Sequence, residues 1–241
     1  MILILSALKE EIKPILKEME VTETINLRPA IFCRGSYLGK EIVVGHTGVG
    51  PDKMFRAASF CLKEYRPEFA VNGGYSGALT PNLTLADIII SDTIVCEKDG
   101  ATLNEIFYLD KIEEICKGNS IKYQKGSALT VEKAAVTPHE KAYLGTKFGT
   151  ISVDMESFGL AKAAKEANTP YIILRSVLDP MDMHLPAANG LVSDNGTTSA
   201  LGVAFNVITK PHKAIHLPQL EYCAREARKS FIRVLNEIIK S

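Results

Sequence analysis

The chain has no surplus of charge of either sign, lysine plus arginine and aspartate plus glutamate standing at 28 each. A protein so balanced exerts no long-range field that would draw it onto nucleic acid or an anionic membrane, so a small neutral or mixed-charge ligand is the better partner. Cysteine is sparse: Cys33, Cys61, Cys96, Cys116 and Cys223 are scattered, odd in number and without C-x-x-C spacing. They fit buried thiols in a reducing compartment and argue against metal ligation. No apolar run approaches membrane-spanning length. The apolar start Met1–Leu8 lacks a basic flank and runs into Lys9-Glu10-Glu11, so it reads as a first strand and not as a signal peptide. Repeats and low-complexity segments are also missing. The expectation is a cytoplasmic protein.

What is present suffices for one substantial core. With 241 residues, 46% apolar and 23% charged, the chain is expected to form a single domain over 1–241. Short apolar runs alternate with segments of helical period, which predicts an α/β fold: a three-layer sandwich with a central twisted mixed sheet flanked by helices. Strands are predicted at Ile2–Leu5, Ala30–Arg34 and Glu41–Val44 (as a hairpin), Phe69–Asn72 ending in Gly73-Gly74, Asp87–Val95, Gly126–Val131, Ile151–Val153 and Tyr171–Leu178. Helices are predicted at Glu10–Glu20, Pro51–Tyr65, from Thr137-Pro138 to Lys147, Glu156–Ala167, Ser199–Thr209 and Leu217–Ile239. Residues 97–120 read as a polar excursion with a short helix near Leu109–Cys116, and Pro180–Thr198 as a lid.

Several motifs fail on inspection. Gly45 to Pro51 follows a strand and opens a helix, but Pro51 stands where a P-loop needs lysine and Lys53 where a dinucleotide fingerprint needs glycine. A plain tight turn and a ligand-facing turn, with Gly48 and Gly50 offering backbone amides, both fit. Gly74-Tyr75-Ser76-Gly77-Ala78 approximates a nucleophile elbow, yet Ala78 replaces its last glycine and Pro81 opposes the helix that must follow. It reads as a glycine-rich strand exit open to a ligand, with a Ser76 hydrolase a distant rival. His212 and His216 have zinc-ligand spacing, but prolines bracket them and no H-E-x-x-H is formed.

The informative pattern is acidic. Asp154, Met155 and Glu156 close one predicted strand and Asp179 the next, and such strand ends gather ligands in open α/β sheets. The two strand ends are expected to share one rim. Glu11 lies just past the first strand, where it serves either the helix dipole or a site. One carboxylate fit to grip sugar hydroxyls and another fit to protonate a leaving base suit glycosidic chemistry on a nucleoside.

Val153-Asp154-Met155-Glu156-Ser157, with Leu174-Arg175-Ser176-Val177-Leu178-Asp179 downstream, resembles the purine nucleoside phosphorylase and nucleosidase superfamily. Ser6 to Glu11 resembles the opening of 5′-methylthioadenosine/S-adenosylhomocysteine nucleosidases, and the glycine turns at 48–50 and 73–77 sit where that fold has its sugar and anion loops. The likeness spans residues 1–180. Val136 to Lys141, Asp179-Pro180, Leu185 to Ala188 and Lys210-Pro211 are similar to the hopanoid-associated phosphorylase branch, which implies an adenosine with a bulky apolar 5′ group.

By that resemblance Asp179 donates a proton to purine N7, Glu156 accepts from ribose hydroxyls, Met155 packs on the sugar and Glu11 activates a water. Asp154, Gly48, Gly50, Gly74, Tyr75 and Ser76 are the further substrate-binding candidates. It implies no cofactor or metal, phosphate as the one candidate co-substrate, and a homodimer. Two departures, Tyr75 in place of a serine and the lack of a glycine–arginine loop after the first strand, count against phosphorolysis. Met181–Val192 is expected to line an apolar 5′ pocket. The alternatives are a 5′-methylthioadenosine/S-adenosylhomocysteine nucleosidase and a nucleoside-binding protein without turnover.

Overall fold

The computed structural model describes residues 1–104, 107–185 and 217–241. The predicted 199–209 helix, His212, His216 and Lys210-Pro211 lie outside them, as do residues 186–198 of the expected lid and 186–192 of the expected 5′ pocket.

The strands are β1 (Ile2–Ser6), β2 (Glu20–Leu27), β3 (Ala30–Tyr37), β4 (Lys40–His46), β5 (Phe69–Ala78), β6 (Ile88–Cys96), β7 (Thr102–Leu103), β8 (Tyr123–Thr130), β9 (Ser152–Asp154) and β10 (Tyr171–Asp179). The helices are α1 (Lys9–Glu18), α2 (Pro51–Tyr65), α3 (Leu109–Gly118), α4 (Pro138–Phe148), α5 (Ser157–Glu166) and α6 (Leu217–Lys240). The strands form one mixed sheet in the order β10-β6-β8-β9-β5-β1-β4-β3-β2, with β7 beside β6. Because β5 also pairs with β10, strands β5, β10, β6, β8 and β9 close into a ring.

Both faces of the sheet's central strands are covered, which explains why these strands read as continuous apolar runs, while edge strand β2 is largely exposed. The pleat divides each strand between two cores. Ile2, Ile4, Phe69, Val71, Ile172 and Leu174 pack with Ile12 and Ile15 of α1 and Phe231 and Val234 of α6. Leu3, Leu5, Ala70, Tyr171 and Ile173 pack with Met54, Ala57 and Cys61 of α2 and Leu160 and Ala164 of α5. Among the described residues no helix is long and apolar enough to cross a membrane.

Three sequence expectations change. The strand expected to end at Asn72 continues through Gly73 and Gly74 to Ala78, because β10 pairs alongside it from Ala70 to Gly77. Residues 74–78 are therefore strand interior, and the elbow reading of Ser76 falls. The helix expected to reach Glu20 stops at Glu18, and Glu20 opens the unforeseen strand β2, paired antiparallel with β3. Finally, β9 runs antiparallel to β5 whereas β10 runs parallel to it. The carboxyl ends of β9 and β10 thus point opposite ways, and they flank β5 at adjacent levels, Asp179 opposite Gly77 and Asp154 one residue past the Val153–Gly77 pair.

Candidate active site

The site forms where β5 changes partners. On one edge β1 pairs with β5 as far as Asn72, and β9 joins only at Gly77. Between them the backbone of β5 lacks a strand on that side among the described residues, and buried groups of this kind need other partners. Ser6 Oγ donates to the Gly73 carbonyl at 2.6 Å, and the Tyr75 amide donates to Glu11 Oε1 at 2.8 Å. The other oxygen, Glu11 Oε2, accepts from the Leu8 amide at 2.8 Å, which caps α1. Glu11 is buried. Gly74 is required beneath it: a Cβ there would lie 2.4 Å from Glu11 Oε1 and 3.0 Å from Arg175 Nη1.

Arg175 follows from the same pleat. On β10 it continues the series Tyr171, Ile173 toward α2 and α5, as Asn72 continues Ala70 on β5. The two side chains meet, Arg175 Nη2 donating to Asn72 Oδ1. Arg175 also donates to Ser157 Oγ at 3.0 and 3.1 Å, lies 3.4 Å from Asp154 Oδ2, and stands 3.7 Å from Glu156 Oε2. One fully buried guanidinium therefore serves a nest of carboxylates.

Asp154 is saturated. Oδ1 accepts from the amides of Glu156 at 2.9 Å and Ser157 at 2.8 Å and from Thr130 Oγ1 at 3.2 Å, while Oδ2 accepts from Ser157 Oγ. It fixes the first turn of α5 from below, a supporting position within the site. Glu156 opens α5, and its Oε1 accepts from the Gly50 amide at 3.0 Å. That bond exists because α5 presses onto α2 at Gly159, where a Cβ would lie 2.2 Å from the Pro51 carbonyl oxygen.

Burial dominates the electrostatics here. It raises Glu156 to about 7, with Asp154 and Glu11 adding to the rise and Arg175 and the Gly50 amide opposing it. Burial likewise raises Glu11, against the Tyr75 amide and the charge of Arg175.

Asp179 lies further along β5. A bulge between Val177 and Asp179 inserts Leu178 and sets Asp179 opposite Gly77, where a Cβ would lie 3.0 Å from Asp179 Oδ2. From Gly74 beneath Glu11 to Gly77 beside Asp179 is three residues of strand, about 10 Å. Burial raises Asp179 to about 6 in spite of Lys141, whose Nζ lies 2.7 Å from Oδ2.

The remaining candidates occupy plainer positions. The Gly48 amide is already donated to the Ala7 carbonyl at 3.0 Å and that of Gly50 to Glu156, so these two glycines offer no free anion cradle. Tyr75 meets the site through its backbone, while its hydroxyl donates to the Ala224 carbonyl of α6 at 3.1 Å. Ser76 is buried on β5, its hydroxyl without a partner among the described residues. Met155 is half-buried against the cluster of Leu129, Val131 and Val153. Arg175, Asn72, Ser157 and Lys141 were missed as site residues. Only Arg175 gave a signal, as a cation inside the apolar run Ile172–Val177.

A family model described as the phosphorylase superfamily matches residues 1–202. A 5′-methylthioadenosine/S-adenosylhomocysteine nucleosidase from Staphylococcus saprophyticus is 27% identical over 199 residues, 76% of this chain and 87% of that protein. The structure of the Neisseria meningitidis 5′-methylthioadenosine/S-adenosylhomocysteine nucleosidase, in complex with methylthio-immucillin-A, superposes with a TM-score of 0.78 at 15% identity, covering 99% of this chain and 98% of that one. The futalosine hydrolase of Helicobacter pylori does so with 0.74 at 20%, covering 98% and 97%. The family match spans most of the chain and the architecture is shared from end to end, so this protein belongs to the phosphorylase superfamily and is an enzyme of the nucleosidase or nucleoside phosphorylase kind.

Proposed function

We propose that the chain hydrolyses the N-glycosidic bond of a 5′-substituted adenosine, of the 5′-methylthioadenosine and S-adenosylhomocysteine class, and releases adenine. The observation that carries this reading is the spacing of buried acids along β5, Glu11 and Glu156 around Arg175 at one end and Asp179 at the other. A separation of about 10 Å matches a purine and its ribose laid end to end.

Cleavage builds positive charge on the ribosyl ring and negative charge on the base. Asp179 transfers its proton to purine N7, and the electron pair of the C1′–N9 bond leaves with the base. Glu156 Oε2, which faces Arg175 at 3.7 Å, accepts from ribose hydroxyls and stabilises the cationic ring. Water attacks C1′ and gives its proton to Glu11. Both oxygens of Glu11 accept from backbone N–H groups, which favour its carboxylate form against the effect of burial. Proton donor and acceptor are separate groups, so their affinities are tuned independently.

Water is favoured over phosphate as the nucleophile. Arg175 is committed to Asn72, Ser157, Asp154 and Glu156, Arg56 is exposed on α2, and the amides of Gly48 and Gly50 are engaged. The nucleosidase names of the relatives also favour this over the hopanoid-associated branch that Val136–Lys141 and the Lys210-Pro211 tail resemble.

Adenine release should be followed by a coupled absorbance assay on adenosine, 5′-methylthioadenosine, S-adenosylhomocysteine and 5′-alkylthio adenosines of rising chain length, with and without phosphate. Equal rates in the two buffers and preference for a 5′-thioether over a 5′-hydroxyl are expected. Dependence on phosphate makes the chain a phosphorylase, rates rising steadily with chain length favour the hopanoid-type branch, and binding without adenine release makes it a sensor.

A further inference from the structure

Lys141 is fully buried, and all three of its ammonium protons are placed. Nζ lies 2.7 Å from Asp179 Oδ2 and donates to the carbonyls of Pro180 and Met183, each at 2.9 Å. The capping box of α4 aims it there. Thr137 Oγ1 accepts from the Glu140 amide at 3.1 Å, and Glu140 Oε2 accepts from the Thr137 amide at 3.0 Å, which fixes the first turn and turns Lys141 inward beside Leu144. The fold has no need of a cation at this point, where an apolar side chain of similar volume would avoid the desolvation cost.

The groups facing Asp179 can be named element by element. α4 presents Lys141, α6 presents the thiol of Cys223, and β5 presents Gly77, which carries no charge. Lys141 is thus the cation that meets this acid among the described residues. It also clamps the turn Pro180–Met183 that immediately follows it.

We propose that Lys141 is a positioning residue for Asp179: it holds Oδ2, leaves Oδ1 to carry the proton meant for the base, and thereby governs the upper pH limit of turnover. The link to turnover rests on the function proposed above. The charge of Lys141 favours the carboxylate, which opposes the effect of burial. Without it Asp179 keeps its proton to higher pH but surrenders it less readily.

In K141M, the alkaline limb of kcat/KM for adenine release should move up by about 1–3 pH units, the effect of removing an opposite charge at this range. kcat on the acid side should fall by about tenfold or more. A K141M enzyme with an unmoved limb overturns the assignment, because loss of packing alone lowers activity without moving it. Should K141M fail to fold, the wild-type protein decides by NMR. The buried lysine 15Nζ resonance must shift with the same midpoint as the Asp179 carboxyl carbon, identified by its loss in D179N; a lysine signal that ignores that titration overturns the pairing. That readout needs no turnover, so a wild-type enzyme that releases adenine from no nucleoside would refute the proposed reaction and leave Lys141 to be judged separately.

Discussion

At the scale of single residues, Arg175 organises the site because it is the shared partner of acids drawn from different elements. Glu11 comes from α1, Asp154 from β9 and Glu156 from the head of α5. One cation cannot neutralise all of them, so the raised proton affinity of Glu11 and Glu156 follows from burial with incomplete compensation. Glu11→Gln replaces one acceptor oxygen by an amide that faces the N–H of either Leu8 or Tyr75, and it removes the base. Turnover should drop by about 10²–10⁴ equally with and without phosphate; survival of phosphate-dependent cleavage would show that a second nucleophile is in use. Asp179→Asn removes the proton donor and should cost about 10²–10⁴ in kcat, or about 3–5 kcal/mol of barrier. It also leaves Lys141 facing a neutral amide, so a lower Tm by calorimetry is expected alongside the kinetic loss. Full activity in Asp179→Asn would remove Asp179 from the reaction.

At the scale of elements, the site depends on how closely α2 and α5 approach, since Gly50 just ahead of α2 must reach Glu156 just ahead of α5. Gly159→Ala tests that contact, because the added methyl would sit 2.2 Å from the Pro51 carbonyl oxygen and must push the helices apart. A loss of about 1–3 kcal/mol in stability is expected, with KM rising more than kcat falls, since the Gly50 bond orients Glu156 toward the sugar. Steady-state kinetics beside a urea titration separates the two effects, and an unchanged KM would mean that Glu156 does not need Gly50. Helix α2 was legible to the residue because Pro51 marks its first turn and its apolar residues recur at helical spacing, and Thr137-Pro138 announced α4 equally well. The glycines of β5 misled: Gly73 and Gly74 look like a strand end, yet they are strand residues kept small because Phe231 and Glu11 crowd them. The direction of β9 and the bulge at Leu178 left no local signature, because both are decided by pairing with strands distant in sequence.

At the scale of the whole molecule, a sheet covered on both faces of its central strands and partly closed on itself provides a dry interior into which acids can be set. Their types and approximate places were readable in the chain; their relation to Arg175 and Lys141 was not, because it arises only when β1, β5, β9 and β10 are assembled. That burial has a consequence for stability as a function of pH. Glu156 rises from 4.5 to about 7 and Asp179 from 3.8 to about 6 on folding. Between those limits the native state binds more protons than the unfolded one, so this contribution is fully present below the unfolded values and is lost as pH rises through about 6 to 7. Surface acids such as Glu68, Glu140 and half-buried Glu113, held below their ordinary values by bonded partners, work in the opposite sense and weaken the fold as they protonate in more acidic solution. Stability should therefore peak in weakly acidic solution and decline toward pH 8. Calorimetry from pH 5 to 8 should show Tm falling with rising pH, and Glu156→Gln, which cannot ionise, should flatten that decline. A wild-type Tm that is level or climbs over this range would mean that Glu156 and Asp179 gain no proton affinity on folding, which would leave Asp179 without the proton it must donate.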